Sequence, residues 1–410
     1  MSKTNPIFII SGKSPLSGFG GGYSTFARNL GKTLLKLHFR VYIIALGDTD
    51  SQENTDFGTL ITVKAPLLSF NITALPGLPW FSYKFSSRIQ KIMSTYPPDT
   101  KAIIWGIGPW GLTGSFIKFF SHIPSFHINN YFTTIRHEWK GSLNALGVQD
   151  YGILLWIKFI CIYYTVVQFL AIWEKITLST CDSIVTNYFS TEKILVEEFQ
   201  IPKNKFIRTP FPIQAYIRQG GSNSKPVKGI PKEYILYLSR HDPRKGINML
   251  LHAAKILVER GSMIPLIIGG TGELFEANKK LCAKFKLNNW VKFIGFVSDP
   301  TSLMKHATVF CLPTFEEGAG ALIINEAMSY KLPIVTTVCD GIQEDIKNGK
   351  SGILTPIGDS IKLADALQSV ITSSKLRKHL SKNTFKRFQE LNNQTLIKNK
   401  FINILNNNKI

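Results

Sequence analysis

A two-domain α/β protein with parallel sheets is the fold class this sequence predicts, and three observations predict it. Short apolar runs alternate with helical repeats through both halves, the pattern of strands buried on both faces between helices. The length, 410 residues, suits two domains rather than one. A seam near the middle interrupts the alternation: Thr209-Pro210-Phe211-Pro212 breaks regular structure, and Gly220-Gly221-Ser222-Asn223-Ser224 is flexible in composition.

Each element follows from its local pattern. In the first half, apolar runs predict strands at 8–10, 41–45, 102–105, 125–129 and 183–186, with helices at 23–37, 83–94 and 191–199. In the second, strands are expected at 234–238, 266–269, 291–294, 309–312 and 334–337, with helices at 248–260, 273–285 and 322–330. Residues 376–410 read as helical, rich in Lys and Asn, with no strand after them. The expected division is an N-terminal domain over 1–215, a second over 216–385 and a helical tail over 386–410.

Composition narrows the function classes. At 44% hydrophobic the chain can build full cores. A net charge of +21 should draw it to something anionic, such as nucleic acid, an acidic membrane surface or phosphorylated ligands. No zinc finger, RNA-recognition signature or basic-aromatic repeat supports nucleic acid, which is not expected as a partner. The five cysteines are dispersed, without the spacing of a disulfide framework or zinc site, so a reducing, cytoplasmic setting is expected. The apolar run 7–10 is too short for a secretory signal and is expected to be the first strand.

The stretch 152–173 has the length of a membrane span, yet Lys158, Thr165, Gln168 and Lys175 fall on one side of a helix. Three readings stay open: a buried core helix, shallow insertion into a membrane face, or a transmembrane helix. An aromatic patch at Leu78-Pro79-Trp80-Phe81 adds to the membrane reading.

Several loops could carry chemistry. Ser17-Gly18-Phe19-Gly20-Gly21-Gly22-Tyr23 follows a strand and precedes a helix, where glycines let a backbone approach a phosphate. Gly47-Asp48-Thr49-Asp50 invites a ribose-gripping acid or an Asp-X-Asp metal clamp, but its polar continuation, Ser51-Gln52-Glu53-Asn54, favours a solvated loop. Arg240 and Lys245, in Ser239-Arg240-His241-Asp242-Pro243-Arg244-Lys245-Gly246, offer a diphosphate a guanidinium fork and an ammonium point charge. Gly269-Gly270-Thr271-Gly272-Glu273 is a second loop of close backbone approach, and Gly295-Phe296-Val297 offers an apolar face to a base. In Glu316-Glu317-Gly318-Ala319-Gly320, carboxylates flank a glycine turn, and a further acid, Glu326, lies in the helix that follows.

The order of Arg240 to Gly246, Gly269 to Glu273, Gly295 to Val297, Glu317 to Met328 and Asp340-Gly341-Ile342-Gln343-Glu344 resembles the retaining nucleotide-sugar glycosyltransferases of the GT-B class, family 4 or group 1. The likeness is strongest over 234–359, and Gly20 to Leu37 resembles the family's opening loop and helix. It implies a GT-B fold: two Rossmann-like domains with parallel sheets facing a central cleft. By the same resemblance no metal is bound, no cofactor is used, and the nucleotide sugar is itself a substrate.

Carried over, Arg240 and Lys245 would bind the donor diphosphate, Glu317 would orient the donor sugar, and Glu326 would hold the ribose. Gly20 and Gly21 would close on the phosphate. Gly270, Gly272, Phe296, Val297, Gly318, Ala319 and Gly320 would line the donor site, the amides of Ala319 and Gly320 facing its oxygens. Eight residues separate Glu317 from Glu326 where the family has seven, so Glu316 is an alternative first carboxylate. A first-domain histidine near the donor sugar would be His127 or His137, with His127 taken as the catalytic one.

The implied reaction transfers a sugar, with retention, to a glycan or glycolipid acceptor, and the implied location is cytoplasmic, with peripheral placement on the inner membrane face as an extension. Two other readings are a nicotinamide-dependent oxidoreductase using Gly18 to Gly22 with Asp48 or Asp50, and a non-catalytic scaffold of the same fold.

Overall fold

The N-terminal apolar run forms β1 (Ile7–Ser11), every residue of which is buried. The computed structural model describes residues 5–16, 21–65, 77–210, 227–262, 264–318 and 320–407. The chain divides into two compact units: Met1–Arg136, Thr165–Ala215 and Asn393–Ile410 form the first, His137–Tyr164 and Tyr216–Asn392 the second.

In chain order β1 is followed by α1 (Gly21–Lys36), β2 (Val41–Gly47), β3 (Ser51–Thr55), β4 (Gly58–Lys64), α2 (Leu78–Met93), β5 (Ala102–Ile107), α3 (Leu112–Phe120) and β6 (Ser125–Tyr131). Then come α4 (Ile135–Ala145), α5 (Val148–Tyr151), α6 (Ile153–Ile162), α7 (Gln168–Thr180), β7 (Ser183–Thr186), α8 (Phe189–Phe199) and β8 (Phe206–Arg208). The eight strands make one sheet in the order β3-β4-β2-β1-β5-β6-β7-β8, parallel except for β3. Its central strands are continuous apolar runs because helices cover both faces. Phe8, Ile10, Ile44, Phe85, Ile104 and Leu112 lie in one core cluster.

The polar segment after β2 departs from expectation. Ser51–Thr55 is an edge strand, antiparallel to β4, rather than a loop. Its side chains are mostly exposed, which suits an edge that only one neighbour pairs. Asp50 accepts the Lys64 amide at 2.9 Å and so serves the hairpin.

The second unit continues with β9 (Ile235–Leu238), α9 (Ile247–Glu259), β10 (Leu266–Gly269), α10 (Phe275–Lys284), β11 (Val291–Gly295), α11 (Thr301–His306), β12 (Val309–Leu312) and α12 (Leu322–Ser329). It closes with β13 (Ile334–Thr337), α13 (Ile342–Asp345), β14 (Ile353–Thr355), α14 (Ser360–Thr372) and α15 (Ser374–Leu391), while α16 (Gln394–Asn407) falls in the first unit. The sheet order is β11-β10-β9-β12-β13-β14, and every pairing is parallel.

Two segments pack away from their expected domains. Residues 137–164 lie with the second unit, tied there by Asn248 Nδ2 on the Ala145 carbonyl at 3.0 Å and by Tyr151 Oη on Asn278 Oδ1 at 2.6 Å. The tail is no separate domain, for Ile397, Phe401 and Ile404 of α16 are buried and Phe401 meets the Trp105 ring at 5.9 Å. Residues 211–226 of the expected seam lie outside the described residues.

The stretch read at 152–173 is part of a longer helical run, Ile153–Thr180, with a π-helical turn at Tyr163–Val167. Only 17% of its most apolar window is buried, which overturns the core-helix reading. By length and composition it is the one helix among the described residues able to cross a membrane.

Candidate functional site

Strand order in the second sheet reverses between β9 and β12, since β10 and β11 follow β9 on one side and β12 begins the other. Ligands of open parallel sheets bind beyond the carboxyl ends of the strands at such a switch point. The loops leaving β9 and β12 meet there, and they hold Arg240 to Gly246 and Pro313 to Gly320.

The first loop is shaped by its own residues. The Asp242 side chain caps a short 3₁₀ turn, Pro243–Lys245, by accepting the Arg244 amide at 3.3 Å. Gly246 then turns left-handed at φ 68°, and a Cβ there would lie 1.8 Å from the Pro313 carbonyl oxygen. Gly246→Ala is expected to destabilise the fold by at least about 2 kcal/mol, read as a lower denaturation midpoint.

The second loop locks onto the first through backbone and side chain. The Phe315 amide donates to the Arg244 carbonyl at 2.7 Å, and Thr314 Oγ1 lies 2.9 Å from the same oxygen. Two ion pairs join the loops: Lys245 Nζ donates to Glu317 Oε1, and Arg244 Nη1 to Glu316 Oε2 at 2.5 Å. Arg244 also reaches Glu138 Oε1 of α4 at 2.7 Å. Both cations and both partner glutamates are buried.

Burial splits the two glutamates electrostatically. It pushes both carboxyls up, but Arg244 and Lys245 outweigh it at Glu316, which is held below the usual carboxylate range. At Glu317 burial prevails over the same two cations, and its carboxyl lies above that range. One acid is thus fixed as a carboxylate, while its neighbour takes up a proton more readily.

A third carboxylate completes the cluster. Asp340 holds a left-handed backbone, φ 34°, uncommon for a residue with a Cβ. Its Oδ2 accepts the Glu317 amide at 3.0 Å, and Oδ1 lies 3.0 Å from His137 Nε2. His137, Glu316 and Asp340 bring one ligand atom each within 4.8 Å of one another. All four carboxylate oxygens there already lie within hydrogen-bond distance of protein groups, since Glu316 Oε1 accepts the Gly318 amide at 2.9 Å.

The other expected residues fall in three groups. Arg240 projects outward, its side chain 68% exposed and 3.7 Å from Asp242. Phe296 is also exposed, just beyond the end of β11, whereas Val297 is half-buried. Glu326 is half-buried in the second turn of α12.

Gly270 and Gly272 answer to protein packing, because Cβ atoms there would lie 1.8 Å from the Ser239 carbonyl oxygen and 2.7 Å from the His241 carbonyl oxygen. Gly320, also left-handed at φ 65°, gives its amide to the Glu317 carbonyl at 2.8 Å rather than leaving it for a ligand. Gly20 and Ala319 lie outside the described residues, and Gly21 opens α1.

His127 is the clear correction. Its side chain is wholly buried in β6, against Gly114, and burial lowers its pKa to about 3. A ring sealed in the core cannot touch a sugar donor. The histidine that meets the charged cluster is His137, the alternative. Arg244 and Asp340 lie in motifs legible in the sequence but were given no role there, and nothing local marks Glu138, which lies 106 residues before its partner (244 − 138).

The fold and this switch-point cluster together define an α/β protein of GT-B type with a cation-and-carboxylate site in its second unit. Residues 222–387, which contain that site, match the family model described as glycosyl transferases group 1. The chain is 30% identical over 161 residues to the phosphatidyl-myo-inositol mannosyltransferase of Mycobacterium leprae, covering 38% of this chain and 42% of that one. It is 28% identical over 207 residues to the capsular polysaccharide biosynthesis glycosyltransferase CapM of Staphylococcus aureus, covering 50% of each. The chain thus spans half or less of the length of these curated relatives. Among solved structures, the sucrose-phosphate synthase of Thermosynechococcus elongatus matches with a TM-score of 0.76 at 20% identity, over 98% of both chains, a likeness of fold.

Proposed function

We propose that this protein is a retaining glycosyltransferase that moves a sugar from a nucleotide-sugar donor to a glycan or lipid-linked acceptor. The observation that carries the reading is the pairing of Lys245 with Glu317 at the switch point, inside the segment that matches the group 1 family. In this reading exposed Arg240 and buried Lys245 take the donor diphosphate, Glu317 orients the sugar, Glu326 holds the ribose and Phe296 lies against the base. The bond from the anomeric carbon to the diphosphate oxygen breaks, and the negative charge that develops there meets Arg240 and Lys245. The acceptor oxygen bonds to the same face of the anomeric carbon, and its proton passes to the departing phosphate. No metal and no cofactor is required.

The names of the two curated relatives support a lipid-linked or polysaccharide acceptor. The reading is tested by a screen of nucleotide sugars for hydrolysis and thermal stabilisation, with NAD as the comparison. Stabilisation by one nucleoside diphosphate and release of its sugar are expected, with the product anomer read by proton NMR. Stabilisation by NAD alone overturns the reading, and an inverted product overturns retention.

A further inference from the structure

Glu174 is the one carboxylate of α7, and it is wholly buried. The proposed reaction gives it no task. A buried acid needs a partner, and here the partner is the start of α4. Both carboxyl oxygens lie 3.2 Å from the Ile135 amide, the first N–H of that helix. The leading amides of a helix find no acceptor within it, so an acid at this point serves as a cap.

The residues on either side are held as well. Thr134 Oγ1 donates to Glu198 Oε2 of α8 at 2.7 Å, and Arg136 Nε donates to Gln168 Oε1 of α7 at 2.9 Å. Residues 134–136 are thus each fixed by a different side chain of α7 or α8, all within the first unit.

The next two residues of the same turn face other groups. His137 Nε2 lies 3.0 Å from Asp340 Oδ1, and Glu138 Oε1 lies 2.7 Å from Arg244 Nη2. Helix α4 therefore begins in the first unit and continues in the second, the change falling between Arg136 and His137. A helix advances about 1.5 Å and turns about 100° per residue, so fixing Ile135 also fixes the directions in which His137 and Glu138 leave it.

The acid suits a cap that is held neutral. One N–H shared between two oxygens is little for a buried carboxylate, Glu198 adds a like charge, and Arg136 offers only a minor counter-charge. Tyr131, itself near Tyr23 and Cys181, is the other titratable neighbour. Burial prevails and pushes the Glu174 carboxyl up to about 8.

We propose that Glu174 is a positioning residue of the transfer site: by capping α4 at Ile135 it sets the turn from which His137 and Glu138 meet Asp340 and Arg244. The inference rests on the transferase reading of that site and names a residue that acts on it through α4.

The test compares Glu174→Gln, which keeps a capping oxygen, with Glu174→Leu, which fills the space without one. The first readout is hydrogen exchange of the full chain over 134–138, with α9 as the internal reference. Glu174→Leu should exchange there about ten-fold faster, because a lost cap frees the leading turn. Its kcat on the donor from the nucleotide-sugar screen should fall about ten-fold, and Glu174→Gln should restore both to within about two-fold. An acid that only fills space predicts the reverse order, since leucine suits a buried site at least as well as glutamine.

The pH profile gives a second readout, which stands even where the leucine variant fails to fold. The folded-state carboxyl lies above its ordinary 4.5, so its stabilising contribution is full below 4.5 and is lost as pH rises through about 8. Between pH 5 and pH 9 the melting temperature of the parent should fall by about 5 °C relative to Glu174→Gln. Exchange over 134–138 should outpace that of α9 over the same range in the parent alone. Parent-like exchange and kcat in Glu174→Leu, an equal loss in Glu174→Gln, or identical pH profiles of parent and Glu174→Gln overturns the inference. Turnover of no nucleotide sugar by the parent overturns the transferase reading instead, and exchange over 134–138 then judges the cap by itself.

Discussion

Lys245→Ala is expected to lower sugar transfer by about 10²- to 10³-fold, the usual loss when one fixed donor to a developing charge is removed. Lys245 is buried at the switch point, where its ammonium group donates to Glu317. In the proposed reaction the diphosphate competes with Glu317 for that ammonium, so the pair is both the resting state of the site and its charge supply. The substitution has a second signature. Lys245 is the foremost influence pulling the Glu317 carboxyl down against burial, so its loss pushes that carboxyl further up. The residual activity should therefore shift toward higher pH if it needs Glu317 ionised, and Glu317→Gln should remove the shift. The measurement is kcat/KM against pH on the donor found in the nucleotide-sugar screen. Activity near the parent's with that donor rejects the phosphate role of Lys245.

Arg244→Ala should act on stability first. Arg244 faces Glu316 and Glu138, and its side chain is 10% exposed while that of Glu316 is 1% exposed. Removing the guanidinium leaves Glu316 buried without its main partner, a loss of about 3–5 kcal/mol. For a unit of this size the melting temperature should fall by about 10 °C. Replacing the pair together, Arg244→Met with Glu316→Leu, should recover part of the loss, because an apolar pair asks for no compensating charge while Glu138 and the Gly318 amide still lose their partners.

Acid should narrow the difference. The folded-state pKa of Glu316 lies below its ordinary value of 4.5, so its contribution is present above that value and is lost as pH falls through the depressed pKa. The gap between parent and Arg244→Ala therefore shrinks as pH drops below 4.5. A thermal melt of Arg244→Ala within about one degree of the parent at neutral pH excludes this account.

The parallel strands were legible because burial on both faces makes them continuous apolar runs, as in Ile7–Ile10 and Val309–Leu312. β3 was not, since an edge strand needs no apolar face and Ser51 to Asn54 looks like a loop. Among the candidate site residues, Arg240, Lys245 and Glu317 stand out in the sequence because they lie in short motifs beside strand ends. The charged groups that pair with these loops from α4 were hidden. Glu138 and His137 sit on α4, far in sequence from Arg244 and Asp340, and only folding brings them together. His127 misled because a histidine at the middle of a strand gives the same letters whether its ring faces a ligand or the core.

The chain passes between its two units at residues 136, 164, 215 and 392, so each unit is assembled from pieces that are distant in sequence. During synthesis the helices over 137–164 emerge long before the sheet they belong to. The first sheet, though all its strands are made by Arg208, lacks the buried Ile397, Phe401 and Ile404 until α16 appears. The first unit cannot complete its core until the second has been made. A cut in the seam near residue 215 would yield two fragments, each missing part of itself and each carrying a helix meant for the other. For this protein the unit of folding, and of any truncation that hopes to keep activity, is the whole interleaved chain.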